Sequence, residues 1–128
     1  YKSTDTCRYS CQYHVVFCPK YRRSVLLEPI QERMKEIIKE KQEEYDFELL
    51  DIEILPDHVH MIIDVSPQVG IYPTVTKLKG VTSRIIREEF PEIKSKLPTL
   101  WSSGKFISTV GAVTLEIVKK YIESQKNK

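Results

Sequence analysis

The sequence has 128 residues, 41% of them hydrophobic and 30% charged, which suits one domain, residues 1–128, with its own core and a hydrophilic surface. A net charge of +2 excludes a broad electrostatic coat for nucleic acid and leaves room only for a local basic patch. No apolar run approaches the roughly 20 residues of a membrane helix and no stretch near the start has the pattern of a signal peptide, so a cytoplasmic protein is expected.

Taken in chain order, residues 10–18 are rich in aromatic and β-branched side chains and predict a strand. Cys7, Cys11, His14 and Cys18 superficially resemble a zinc site. A strand, however, points Cys11 to one face and His14 with Cys18 to the other, and three cysteines are an odd number for disulfides, so free thiols are the better reading. Pro19 ends the strand, and Lys20-Tyr21-Arg22-Arg23 follows, either a solvated basic loop or a phosphate contact with an aromatic for base stacking. From Pro29 to Tyr45 the residues Ile30, Met34, Ile37, Ile38 and Tyr45 follow helical spacing, with Pro29 suited to the first turn. Phe47 to Leu55 reads as a second strand, turned by Pro56-Asp57 into a third.

That third strand, His58-Val59-His60-Met61-Ile62-Ile63, carries the most informative pattern. Alternation places His58 and His60 on one face and buries Val59, Met61 and Ile63 on the other. Two imidazoles held this way are either half of a metal site or two histidines on a partly solvated sheet face. Residues 66–73 read as loop, and a second helix is predicted from Thr74 to Phe90, with Val75, Leu78, Ile85, Ile86 and Phe90 facing the core. Lys77, Gly80, Arg84 and Arg87 line another face, a basic stripe whose glycine gap suits close approach of a phosphate backbone or of another helix. Leu97 to Ser103 is a loop holding the single tryptophan, Phe106 to Val110 a fourth strand, and Gly111 a break. The last helix, Thr114 to Gln125, puts Tyr121 and Gln125 one turn apart at the edge of the apolar face of Leu115, Val118 and Ile122. A tyrosine there is packing or chemistry, and a phenol with a pKa near ~10 needs a polarised phosphate to attack.

Five stretches in this order resemble the HUH single-tyrosine transposases of the insertion-sequence 200/605 type, the TnpA proteins. They are residues 13–23, Asp57-His58-Val59-His60-Met61, Lys79-Gly80 with Ser83-Arg84-Ile85, Leu97-Pro98-Thr99-Leu100-Trp101 with residues 106–111, and Tyr121-Ile122-Glu123-Ser124-Gln125. The resemblance implies an α+β, ferredoxin-like HUH endonuclease fold, with a single antiparallel sheet of four to five strands, working as a homodimer. It implies Mg²⁺ or Mn²⁺ held by His58, His60 and Gln125, and Tyr121 as nucleophile toward single-stranded DNA. The product would be a 5′-phosphotyrosine link and a free 3′-hydroxyl that later rejoins DNA. Family members read hairpins at the element ends and set the tyrosine helix of one subunit against the histidines of the other, for which Gly111 would be the joint. Lys20, Arg22, Arg23, Lys77, Lys79, Arg84 and Arg87 are the candidate DNA contacts. The absence of a Gly-x4-Gly-Lys-Ser/Thr loop agrees with transesterification, which needs no ATP. A non-catalytic module for single-stranded nucleic acid, or a hydrolytic phosphodiesterase, are the alternatives.

Overall fold

In the computed structural model, residues 2–3, 8–111 and 115–128 are described, with side chains for 10–111 and 116–128. Cys7, Thr114 and the side chain of Leu115, all named above, lie outside these. The elements are β1 (Lys2–Ser3), β2 (Arg8–Tyr9), β3 (Gln12–Phe17), α1 (Ile30–Glu40), β4 (Phe47–Leu55), β5 (His58–Val65), α2 (Ile71–Glu89), α3 (Pro91–Lys96), β6 (Phe106–Thr109) and α4 (Leu115–Ser124). β1 and β2 form a small antiparallel pair. The other four strands form one sheet in the order β4-β5-β3-β6, antiparallel at every junction. From β3 to β6 the chain runs strand, helix, strand, strand, helix, strand, apart from the short α3, which is the expected ferredoxin-like arrangement.

Strand alternation gives the sheet two different faces. Val15, Phe17, Val59, Met61 and Ile63 are buried in the main core, which α1 supplies with Ile30, Met34, Ile37 and Ile38 and α2 with Val75, Leu78, Val81 and Ile86. Each such aliphatic side chain contributes about 1.5–3 kcal/mol when fully buried, so this layer holds the domain together. Val16, Cys18 and Val118 are also buried but stand outside that cluster. They belong to the opposite face, the one that carries the histidines.

Several boundaries differ from the sequence expectation. α1 stops at Glu40 rather than reaching Tyr45, because Gln42 donates from Nε2 to the Lys39 carbonyl and accepts the Leu49 N–H at Oε1, closing the helix end. Tyr45 still packs against the core from a turn, so its spacing imitated a helix. α2 begins three residues before Thr74, since Pro73 falls in the first turn, where an N–H has no helical partner to lose. The short α3, with Pro91 at its start and Ile93 buried, was not anticipated. The Pro56-Asp57 turn joins β4 to β5 as expected, with Leu55 opposite His58, and a bulge between Leu49 and Asp51 leaves Leu50 exposed. Among the described residues no helix is long and apolar enough to cross a membrane.

Candidate active site

His58 and His60 lie on the face opposite the main core, His60 directly across from Val16 of β3 and Glu53 of β4. Each imidazole has one nitrogen engaged. His58 Nδ1 is 2.8 Å from Asp57 Oδ1, which leaves Nε2 available. His60 Nε2 is 3.1 Å from Nδ1 of His14, with the two rings stacked 5.3 Å apart. Burial, followed by the neighbouring His14 and His58, pushes the His60 pKa down, so the ring is held neutral and able to donate a lone pair. Among the described residues no three His, Cys, Asp or Glu side chains are arranged to hold a metal ion between them. The two imidazoles could hold a divalent ion together with an amide oxygen, a donor set that suits Mn²⁺ better than Mg²⁺.

The candidate amide oxygen is that of Gln125, in the turn just past α4, and α4 packs on this same face. Phe106 is opposite Val16, as His60 is, and the Tyr121 ring lies 5.5 Å from the Phe106 ring. Val118, Tyr121 and Gln125 follow one another at intervals of three and four, so a single stripe of the helix meets the sheet. Gln125 is buried, accepts a hydrogen bond from Ser102 Oγ at 3.1 Å on Oε1, and donates from Nε2 to Ser124 Oγ. The Tyr121 hydroxyl is buried without a hydrogen-bond partner among the described residues, an arrangement that costs about 1–3 kcal/mol. Burial, and then Cys18, push its pKa well above the usual phenol value.

The wall facing Tyr121 and Gln125 is the segment from Leu100 to Gly104. Lys20 N–H donates to the Leu100 carbonyl and Ser102 N–H to the Cys18 carbonyl, both at 2.9 Å, so the loop is pinned to the end of β3. Trp101 anchors it from below, edge-on to Phe17 and donating from Nε1 to Thr82 Oγ1. Lys79 donates to the carbonyls of Ser102 and Gly104 at 2.8 and 3.0 Å. A Cβ on Gly104 would stand 3.5 Å from both the Tyr121 hydroxyl and Gln125 Oε1, so glycine keeps open the space in front of the phenol. Burial, then Lys105, lower Lys79 to about 8, and burial, then Asp57, raise Cys18 to about 11.

A 3-10 turn over Lys20–Arg22 completes the site. Tyr21 and Arg22 both have positive φ, 59° and 51°, a conformation that costs non-glycine residues about 1 kcal/mol or more each. The turn sends Arg22 inward: Nη1 donates to the Ile122 carbonyl of α4 at 3.3 Å, and Nε pairs with Asp57 Oδ2 at 3.5 Å.

Comparison with known proteins assigns the family. Residues 7–125 match the model of the family described as "Transposase IS200 like". The chain belongs to the IS200-like transposases. It is 35% identical over 122 residues to the ISDra2 transposase TnpA of Deinococcus radiodurans, covering 94% of this chain and 87% of that protein. It is 32% identical over 126 residues to the IS200 transposase of Salmonella typhimurium, covering 97% and 82%. A crystal structure of a candidate transposase from Deinococcus radiodurans superposes with a TM-score of 0.89 at 29% identity over all of both chains. A REP-associated tyrosine transposase bound to a REP hairpin shares the fold, with a TM-score of 0.59 at 14% identity over 94% of this chain and 69% of that one. The fold is thus the HUH type of α+β domain, and the protein is a DNA transposase.

The basic residues singled out in the transposase sequence fall into two groups. Arg22, Lys79 and Arg87 are engaged internally, Arg87 with the Leu97 carbonyl at 3.1 Å. Lys20, Arg23, Lys77 and Arg84 are left near the surface, with Lys20 over the Tyr21 ring and Lys77 over Tyr45. Tyr21, Arg22, Arg23, Ser24, Lys126 and Asn127 line an open cleft of about 560 Å³, where the 3-10 turn meets the end of α4. Sequence reasoning missed four contributors: Asp57 as the partner of His58, His14 as the partner of His60, Ser102 as the partner of Gln125, and the inward role of Arg22. Asp57 was adjacent to the motif, whereas the other three depend on pairings across 23 residues or more.

Proposed function

We propose that the transposase cleaves and rejoins single-stranded DNA at insertion-sequence ends through a 5′-phosphotyrosine intermediate formed on Tyr121. The observation that carries this reading is the Tyr121 hydroxyl, buried, without a hydrogen-bond partner among the described residues, on the sheet face shared with His58 and His60 and near the oxygen of Gln125. A structural tyrosine buried at this cost ordinarily finds a hydrogen bond, while a nucleophile awaits the phosphate that completes it. The REP-associated relative bound to a DNA hairpin supports hairpin-bearing single strands as the substrate class.

His58, His60 and Gln125 would hold a divalent cation, Mn²⁺ in preference to Mg²⁺. Bound there, it would act as a Lewis acid on the scissile phosphate and on the leaving 3′-oxygen. The chain's own groups do the rest. Asp57 fixes the His58 ring with Nε2 free, Ser102 turns the Gln125 oxygen, and the apolar packing of Phe106 aims the phenol. Lys79, held near the loop that faces Tyr121 and lowered to about 8, is placed to keep the surroundings of the anion positive. The Tyr121 oxygen forms the new P–O bond as the 3′-oxygen leaves, the phenol giving up its proton and the leaving oxygen taking one up to become a 3′-hydroxyl. In rejoining, a 3′-hydroxyl loses its proton and displaces the tyrosine, which is reprotonated, so phosphoester bonds and protons are conserved.

The test is incubation with hairpin-bearing single-stranded oligonucleotides in Mn²⁺, followed by denaturing electrophoresis. Wild type should give a DNA-shifted band that Tyr121→Phe and His60→Ala each abolish. A shift that survives in Tyr121→Phe would refute the assignment, and product released without any adduct would favour the hydrolytic alternative. Binding that needs neither metal nor Tyr121, with no cleavage, would favour the non-catalytic module. The proposal extends to a homodimer in which subunits exchange tyrosine helices, although the chain's own α4 packs on the sheet face that carries its own histidines. Mixing Tyr121→Phe with His60→Ala protein restores adduct if sites are shared between subunits and yields none if each chain serves itself.

A further inference from the structure

Arg22 connects the two halves of the site. Its Nη1 meets the Ile122 carbonyl, the backbone position directly after Tyr121 and three before Gln125. Its Nε meets Asp57 Oδ2, and the other oxygen of the same carboxylate holds His58 Nδ1 at 2.8 Å. One planar guanidinium thus bridges the nucleophile helix and the group that sets the tautomer and rotation of a histidine. The bridge is built rather than incidental: the side chain is four-fifths buried, and two adjacent residues are held at positive φ in the turn that delivers it. The carbonyl it caps lies in the last turn of α4, where a cation also complements the helix dipole.

We propose that Arg22 is a positioning residue that couples the seating of the tyrosine helix to the orientation of His58, so that nucleophile and histidine centre assemble together. The inference rests on the function proposed above. Seating of α4 supplies the carbonyl that holds the guanidinium against Asp57, and Asp57 in turn directs His58. Without the helix the guanidinium loses one of its two partners, and the Asp57 carboxylate is free to turn away from the imidazole. A phosphate-binding arginine, the role its sequence context suggests, would instead leave both halves intact and act only on substrate affinity.

The two roles separate experimentally with Arg22→Gln, Arg22→Lys and Asp57→Asn in the full chain. Mn²⁺ affinity is measured by calorimetry without DNA, oligonucleotide affinity by fluorescence anisotropy across a salt series, and the adduct-forming rate at saturating oligonucleotide. Coupling predicts that Arg22→Gln weakens Mn²⁺ binding about tenfold and lowers the saturated rate at least as much, while the oligonucleotide Kd and its salt slope stay put. It also predicts that Arg22→Gln combined with Asp57→Asn is no worse than the more damaging single change. Arg22→Lys keeps the charge but not the fork, and should show the same defect in milder form, which serves if Arg22→Gln does not fold. Unchanged Mn²⁺ affinity and saturated rate, with a higher oligonucleotide Kd and a salt slope reduced by about 0.7, would overturn the proposal in favour of a phosphate contact. If wild type forms no adduct, the function proposed above fails, and the Mn²⁺ isotherms still decide for or against the coupling.

Discussion

A phenol shut away from water is a poor nucleophile at neutral pH, and Tyr121 has that handicap by burial. The raised pKa means the anion is disfavoured in the folded protein, so the proton is lost only above the ordinary value of 10. Alkaline difference spectroscopy should show a late tyrosinate step in wild type that is missing in Tyr121→Phe; a missing step centred at or below pH 10 would contradict the buried placement. The same reasoning has the rate of adduct formation rise with pH from neutrality to pH 9. His14 makes the second case at this scale. With its Nδ1 against His60 Nε2, it limits the ways the His60 ring can present a lone pair. His14→Ala should weaken Mn²⁺ binding by about tenfold or more, read by calorimetry, and an unaltered isotherm would make the contact incidental. That His58 and His60 share a face, and that Tyr121 and Gln125 lie together, was legible because the first two share a strand and the other two lie one helical turn apart, where fixed periodicity converts spacing into a common face. His14 was in view but was weighed with the cysteines, since sequence distance concealed that β3 and β5 are neighbours.

Among elements, α2 does two jobs and each has a measurable consequence. Its outer face carries Gly80, where an added Cβ meets nothing within 4 Å. Gly80→Ala should therefore stabilise the protein by about 0.5–1 kcal/mol in urea unfolding, and a lower midpoint would show that the open space is needed in the fold. If DNA approaches there, the same variant binds oligonucleotide more weakly while being more stable. Its inner face carries Lys79, which ties the Ser102–Gly104 wall. The folded state lowers Lys79 from 10.5 to about 8, so it binds fewer protons than the unfolded chain between those values. Stability should then rise with pH across that window and be lost as pH falls through 8. Cys18, raised from 9.0 to about 11, opposes this above pH 9, which leaves pH 8 to 9 as the clean interval. Lys79→Met should flatten the rise in that interval, and an unchanged slope would contradict the assignment. The helices and strands were legible by period, while α3, the true ends of α1 and α2 and the packing of the Leu100–Gly104 wall were not. Those depend on side-chain caps and on Trp101 reaching Thr82, which leave no periodic trace.

For the whole molecule, the modest net charge of +2 is distributed so that the open cleft by α4 is basic while several other cations are internally engaged. Arg23→Ala and Lys126→Ala should each lower the slope of log affinity against log salt by about 0.7 for single-stranded DNA, and wild-type slopes in both would place the strand elsewhere. The domain's two layers divide the work: one face of the sheet buries the core with α1 and α2, and the other carries the histidines beneath α4. Everything proposed for the chemistry depends on Tyr121 being the atom donor to phosphorus. The most direct measurement is tryptic mapping, by mass spectrometry, of the covalent adduct formed with a hairpin-bearing oligonucleotide in Mn²⁺. The account predicts a nucleotide remnant on the peptide Tyr121-Ile122-Glu123-Ser124-Gln125-Lys126, attached through the tyrosine oxygen to a 5′-phosphate. A remnant on any other peptide, or on a 3′-phosphate, would contradict it.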